Sequence, residues 1–404
     1  MKINNVSTAA IFSASLLIGY GLVSIAAYTE TANEYYLDVL WLTIVSALSV
    51  FLASRVRMFD LPGRLIRIEI GANRFLSAVF FLFFAVAAYT VATAPAVPLL
   101  AWLSGVDAEV LVDLREQFLK ARVGWESVLP YFNALLTSTF VPYALALMFI
   151  TRHPWRWRLF CAFLVYCLIF IEKVYFIKAI IPLVVVMFGS LDANRGKLFG
   201  ISLVSVALVY GLGVVSGFGS GESTATNEYF FSNTFRPSGT GEYLFWRAIS
   251  VPVFTAADSL SYHFEIYRSE PLFGATTGIF SSLFGMERLY FEREVFAYQW
   301  GQTESGTGSA NAAFFIDAYV NFGILGVVFI SIAVGRILKY MQNSGDSALH
   351  AIWPLFAFGL YVSGFFGNLF SSGFLFILVF SALFVVRSPD RPLRSARRQV
   401  ASVL

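Results

Sequence analysis

Five arginines, Arg236, Arg247, Arg268, Arg288 and Arg293, stand in one stretch, residues 216–311, that contains no lysine. A guanidinium fork grips phosphate oxygens through paired hydrogen bonds, whereas a lysine acts as a compact point charge. An all-arginine set therefore suits a phosphate or diphosphate group. The same stretch holds ten acidic residues, from Glu222 to Glu304, so some of the arginines are expected to be spent on ion pairs. Arg247 stands out because it opens the apolar run Arg247-Ala-Ile-Ser-Val-Pro-Val-Phe, where an unpaired charge at membrane level is expensive.

Groups able to move a proton lie nearby. Asp317 sits with Asn311, Tyr319 and Asn321 in the run 309–326, at the outer start of an apolar segment. An ionisable group at bilayer depth is a functional hypothesis by default, and its rival is a structural partner for a loop arginine. His263, beside Tyr262 and Glu265, is a second candidate base, with surface histidine as the plainer reading; Glu242 is a third. Aromatics crowd the stretch, Trp246, Tyr262 and Tyr298 among them. Such rings stack on sugars and also populate the membrane interface. Glu172, Lys173 and Lys178 interrupt two short apolar runs, and interrupted segments often mark anion sites. Cys161 and Cys167, at i,i+6, read as packing residues. No acidic or histidine spacing asserts a metal site, and no nucleotide-binding loop is present.

The elements that carry these residues follow from composition. The chain has 404 residues, 58% apolar and 13% charged, with mean hydropathy +0.71; a soluble domain carries about 25% charged residues. This excludes a soluble enzyme, and a net charge of +3 gives no footing for nucleic acid. Apolar runs at 9–27, 39–54, 75–94, 128–150, 159–171, 174–190, 198–215, 312–335, 350–366 and 370–386 predict an all-α polytopic membrane protein of about ten transmembrane helices. With both termini inside, the cytoplasmic segments carry 18 of the 28 Lys/Arg and the opposite side 10, as the positive-inside rule requires. Merging 159–190 into one span would expel the Arg-rich C-terminal tail. The chain then reads as one integral membrane domain, 1–404, with a smaller periplasmic loop, 95–127, and a large one, 216–311. The smaller loop contains a candidate amphipathic helix, either at the membrane surface or as a solvated connector. Ser/Gly-rich segments bracket the large loop, which is the expected seat of the chemistry.

The run Asn311-Ala-Ala-Phe-Phe-Ile-Asp-Ala-Tyr-Val-Asn-Phe-Gly-Ile-Leu-Gly resembles a motif of bacterial oligosaccharide repeat-unit polymerases, the Wzy type of O-antigen polymerase. There a similar stretch follows a large periplasmic loop. The piece Arg247-Ala-Ile-Ser-Val-Pro-Val-Phe followed by Tyr262-His263-Phe264 looks like that family's Arg…Pro…Tyr element. The paired arginine–glycine motifs of some members are absent here. The resemblance implies a glycosyltransferase-C-like fold in the inner membrane. It implies a glycosyltransferase that takes undecaprenyl-diphosphate-linked oligosaccharide at the periplasmic face, within membrane lipid. The growing glycan would pass to a fresh lipid-linked unit, with no cofactor and no obligatory metal. A chain-length-regulating co-polymerase is the further partner it implies. On that reading Arg247, Arg288, Arg236, Lys178 and Lys173 would hold the diphosphate. Asp317, His263 or Glu242 would serve as base, and Asn311, Tyr262, Trp246 and Tyr319 would hold sugars. An O-antigen ligase, transferring glycan to lipid A-core, and a lipid-linked oligosaccharide flippase are the rival readings.

Overall fold

The computed structural model describes residues 7–56, 68–106, 108–119, 122–170, 173–188, 229–301, 310 and 312–387. In chain order the helices are α1 (Thr8–Thr31), α2 (Tyr35–Arg55), α3 (Ala72–Thr93), α4 (Pro98–Leu103), α5 (Ala108–Leu119), α6 (Gly124–Ile150), α7 (Arg156–Ile169), α8 (Lys173–Phe188), α9 (Thr240–Tyr267), α10 (Gly278–Phe284), α11 (Phe291–Trp300), α12 (Phe314–Asn343), α13 (Ser347–Ala351), α14 (Trp353–Val362) and α15 (Phe374–Leu383). The strands are β1 (Ile68–Gly71) and β2 (Phe384–Arg387).

Among the described residues five helices, α1, α2, α3, α6 and α12, are long and apolar enough to cross a membrane. They match the expected runs at 9–27, 39–54, 75–94, 128–150 and 312–335. The expected run 198–215 lies outside the described residues. The pair 159–171 and 174–190 forms two helices, α7 and α8. The last two runs depart from expectation. Residues 350–366 divide into α13 and α14, and the chain then breaks at Ser363 (φ −156°, ψ 168°) before a π-helical turn, Gly367–Ser371. The apolar pattern continues through this region, but glycines at 364, 367 and 373 weaken the helix that the pattern alone predicts.

Many large apolar side chains face outward, among them Phe81 (77% exposed) and Phe329 (68%). Leaving them bare to water would be costly, so this surface fits lipid. Helix α6 is the inner one: 72% of its apolar window is buried, against 33% for α3.

The principal interface joins α2 to α12. Small polar residues let the helices approach closely, as in membrane bundles generally. The hydroxyls of Ser46 and Ser331 lie 2.9 Å apart, and Ser13 of α1 donates to the Ala47 carbonyl at 2.9 Å. A Cβ on Gly335 would fall 2.4 Å from the Val50 carbonyl oxygen, which is backbone and has no flexible end to swing aside. Gly335→Ala is therefore expected to push the pair apart and cost about 1–3 kcal/mol, read as a lowered unfolding midpoint of the detergent-purified protein.

The chain is not purely helical. Strands β1 and β2 pair in parallel, Ile68 opposite Phe384 through Gly71 opposite Arg387, and Arg387 forms an ion pair with Glu69. The pairing ties the start of α3 to the end of α15. Both strands are four residues at the margins of long apolar runs, too short for a period-2 signal to register.

In the smaller loop, 95–127, α5 is a helix with buried Leu111, Phe118 and Leu119. Phe118 packs on Phe170, just past the end of α7, at 5.3 Å. Arg122 closes the loop, donating to the Thr90, Thr93 and Phe118 carbonyls and pairing with Glu126 at 2.8 Å. The helix is thus seated on protein through these residues.

Candidate active-site cleft

Three elements converge on a cleft of about 360 Å³. Helix α2 supplies Tyr35, Asp38, Trp41 and Leu42; α9 supplies Leu260, His263 and Phe264; Ser269 follows; α12 supplies Tyr319 and Ile324. The spacings i, i+3 and i+4 put the contributions of α2 and α9 each on one face, whereas Tyr319 and Ile324 of α12 stand five residues apart. Half of the lining is polar or ionisable: Tyr35, Asp38, His263, Ser269 and Tyr319. The other half, Trp41, Leu42, Leu260, Phe264 and Ile324, is apolar, and Trp41 and Phe264 are also largely exposed. A site with one wet and one greasy wall suits a ligand that is itself part polar and part lipid.

His263 is the best-defined chemical group in the cleft. It is 2% exposed, and its Nε2 lies 2.9 Å from the Glu270 carbonyl oxygen. A carbonyl only accepts, so Nε2 carries the proton and Nδ1 keeps the lone pair, the arrangement of a neutral base. Burial lowers the imidazole pKa, and the Glu270 carbonyl raises it by less. The local backbone produces this bond. Arg268 (φ 52°) caps α9 in the left-handed region and Ser269 (φ 59°) follows in the same region, so the chain doubles back and returns the Glu270 carbonyl to the histidine. Two consecutive non-glycine residues there cost of order 1–2 kcal/mol each, and such strain clusters at functional sites. The Tyr319 ring meets the imidazole edge-on at 6.4 Å.

Helix α12 is broken at Gly323 (φ 63°, ψ −160°), between Tyr319 and Ile324. The carbonyls freed by the break do not go unpaired. Leu272 N donates to the Val320 oxygen at 3.1 Å and Phe273 N to the Asn321 oxygen at 2.8 Å. The Asn321 side chain completes the joint: Oδ1 accepts from Gly274 N at 3.0 Å, and Nδ2 donates to Thr276 Oγ1, Asp317 O and Asp317 Oδ1 at 2.8–2.9 Å. Thr276 also donates to Asp317 Oδ1 at 3.2 Å. Asp317 Oδ2 faces Gly364 so closely that a Cβ there would sit 2.6 Å away. Two interrupted helices, α12 and α14, therefore meet at one carboxylate.

The other expected residues are placed as follows. Asp317 belongs to this joint and is not in the cleft lining; it lies two residues from Tyr319, about 200° round the helix. Tyr262 donates to Glu294 at 3.3 Å, a carboxylate it shares with Tyr267, and burial pushes its hydroxyl up to about 12. Trp246 is buried, with Nε1 donating to the Phe230 carbonyl at 3.0 Å. Glu242 accepts from both the backbone and the hydroxyl of Ser238 at 2.6 Å, hydrogen bonds that lower its pKa and hold the start of α9. Arg247 is exposed on α9, one turn beyond Tyr243. Arg236 donates to the Thr234 carbonyl at 3.2 Å. Arg288 lies over the Tyr290 ring at 4.8 Å, and Lys178 over Tyr175 at 4.8 Å on α8. Helix α8 begins at Lys173, whose side chain, like Asn311 as a whole, lies outside the described residues.

The arginines of the long stretch form no ion pair with a described carboxylate, contrary to the expectation that some would. Glu294 and Glu265 are engaged by tyrosines instead. Asp258 of α9 accepts from Gln299 Nε2 of α11 at 2.8 Å. Burial raises its carboxyl to about 6 from the ordinary 3.8, against the lowering effect of Gln299. A raised carboxyl contributes stability that is full below the unfolded value and is lost as pH rises through about 6. Asp258→Asn is thus expected to stabilise the protein at pH 8 by up to about 3 kcal/mol. The gain should vanish near pH 4, as read by melting midpoints across that range.

Asp38 and Ser269 were not singled out in the sequence. The signal for Asp38 was present: it is an ionisable residue at the mouth of an apolar run. Drawing that run from residue 39 left Asp38 outside it. Helix α2 begins at Tyr35, which puts Asp38 on a spanning helix. Among the described residues no group of three or more His, Cys, Asp or Glu could hold a metal ion. No protein-family model, curated protein or solved structure matches this chain.

Proposed function

We propose that the protein is a glycosyltransferase that polymerises oligosaccharide repeat units carried on undecaprenyl diphosphate, with the cleft as its active site. In this reading the chain spans the inner membrane ten times, both termini are cytoplasmic, and the stretch 216–311 is periplasmic. The observation that carries the reading is the cleft itself, with a buried neutral histidine and a carboxylate on a polar wall beside an apolar wall among membrane-length helices. A lipid-linked sugar needs both walls.

The reaction joins an acceptor hydroxyl to the anomeric carbon of the donor glycan while the bond from that carbon to the diphosphate oxygen breaks. The hydroxyl proton passes to His263 Nδ1, with Asp38 stabilising the imidazolium that forms. The electron pair of the breaking bond stays on undecaprenyl diphosphate. Cations placed in advance stabilise that growing charge. Arg268, next in the chain to the lining Ser269 and free of described carboxylates, is the cation placed for this; Arg247 stands about 24 Å from His263 along α9 and outside the cleft. Tyr35 and Tyr319 give sugar rings a face to stack on. Asp317 acts through Asn321, positioning the wall that bears Tyr319.

The test is a lipopolysaccharide gel from a strain lacking the gene, complemented with wild type or with Arg268→Gln, which should restore less of the ladder. Collapse of the ladder to core plus one unit in the null strain supports polymerisation. A bare core with polymer left on carrier lipid means a ligase. An unchanged ladder removes lipopolysaccharide from the substrate range.

A further inference from the structure

Helix α10 has two unlike sides. Its inner side is seated on protein: Phe280 meets Phe366 at 4.7 Å and Phe322 at 6.2 Å, and Ser281 is buried. It thereby sits against α12 and the segment that follows α14, next to Thr276 and the Asp317–Asn321 joint. Its outer side carries Ile279 and Leu283 (71% exposed); Phe284 (63%) extends the apolar surface at the end of the helix, its ring stacked on Phe280 at 6.1 Å, and Phe273 (65%) precedes the helix. Leaving such side chains in water rather than burying them forgoes about 1.5–3 kcal/mol each.

Two cations follow the apolar side. Arg288 and Arg293 both lie over the Tyr290 ring, at 4.8 and 5.2 Å. Both are exposed, and neither pairs with a described carboxylate. Arg288 also lies against Gly278, the first residue of α10, whose Cβ position is 3.4 Å from Nη1. The guanidinium therefore borders the start of the same helix that presents the apolar face. Apolar residues next to arginines fixed on an aromatic ring match the acyl and phosphate layers of a lipid monolayer.

We propose that Phe273 to Arg293 is a phospholipid-binding surface. Ile279, Leu283, Phe284 and Phe273 enter the acyl layer, and Arg288 and Arg293 bind the phosphates of acidic headgroups. The occupant is membrane phospholipid rather than the substrate diphosphate. The surface is independent of the reaction proposed for the cleft.

The test uses the full-length protein in a Cys161→Ser background, since Cys167 is buried and shielded from label. Nitroxide labels at Leu283→Cys and Phe284→Cys, in phosphatidylglycerol vesicles, should collide more with oxygen than with a water-soluble nickel chelate. A label at Glu287→Cys should show the reverse. Preference for the nickel chelate at both 283 and 284 overturns the proposal. In detergent, phosphatidylglycerol should raise the melting midpoint by several degrees, and Arg288→Gln/Arg293→Gln should remove at least half of that rise. A rise retained in the double variant overturns the headgroup role. An equal rise with inorganic diphosphate assigns the arginines to a soluble anion and overturns the choice of lipid.

Discussion

His263→Gln is expected to lower polymer formation by about 10²–10⁴-fold, the range a general base contributes, while leaving the protein folded. Glutamine retains an amide N–H able to donate to the Glu270 carbonyl, the bond that Nε2 makes at 2.9 Å, but it has no basic nitrogen. The measurement is the initial rate of chain extension on purified lipid-linked repeat units, with the melting midpoint as control. A rate within threefold of wild type would remove His263 from the chemistry. The pH profile supplies a second readout. Burial depresses the His263 pKa below the ordinary 6.5, so the neutral form persists into mildly acid solution. Activity should therefore hold at pH 6.5 and fall only as the pH drops further. Stability moves the same way, because below 6.5 the unfolded chain takes up the proton before the folded one does. Asp38→Asn should slow the reaction less, since an amide still accepts a hydrogen bond but cannot balance an imidazolium.

What the sequence made legible follows from periodicity and length. Five long apolar runs became five membrane-length helices, because a run of about 20 apolar residues has few other stable states. Asp317 and Asn321 were recognisable as special because polar groups are rare at such depth. What they do was not legible. Asn321 caps a helix break that depends on Gly323, and its partners, Leu272 to Thr276, come from 45–50 residues earlier. Asp317 meets Gly364, more than 40 residues later. Long-range pairings of this kind leave no local pattern.

The aromatic and acidic crowd in 229–301 also hid its use. The aromatics read as sugar-stacking or interfacial rings, and nothing in the sequence showed that the hydroxyls of Tyr262, Tyr267 and Tyr298 each donate to a glutamate, 294 or 265. Counting charges suggested arginine–glutamate pairing, whereas hydroxyl and amide donors took Glu242, Glu265, Glu294 and Asp258 and left the arginines exposed. Composition cannot distinguish these outcomes, because both satisfy the same number of acceptors. The cleft needed the register of α2 against α9, and only the structure supplies that.

Asn321→Ala is expected to destabilise the protein by about 3–5 kcal/mol, since it orphans buried groups rather than merely deleting contacts. The side chain is 2% exposed and makes four hydrogen bonds, to Gly274 N, Thr276 Oγ1, Asp317 O and Asp317 Oδ1. Its removal leaves Gly274 N without that acceptor and leaves Thr276 as the remaining donor to the Asp317 carboxylate. The segment 272–276 should then detach from α12, carrying with it the cover over the Gly323 break. Polymer formation should fall together with the melting midpoint, because Tyr319 sits one turn before the break. Exchange of the two groups separates chemistry from architecture. In the double variant Asp317→Asn/Asn321→Asp, an amide at 317 can donate to a carboxylate at 321, which can still accept from Gly274 N. If Asp317 acts only by position, the double variant should recover at least half of the stability and activity that Asn321→Asp alone loses. Recovery of stability with activity still absent would make the Asp317 carboxylate itself part of the reaction.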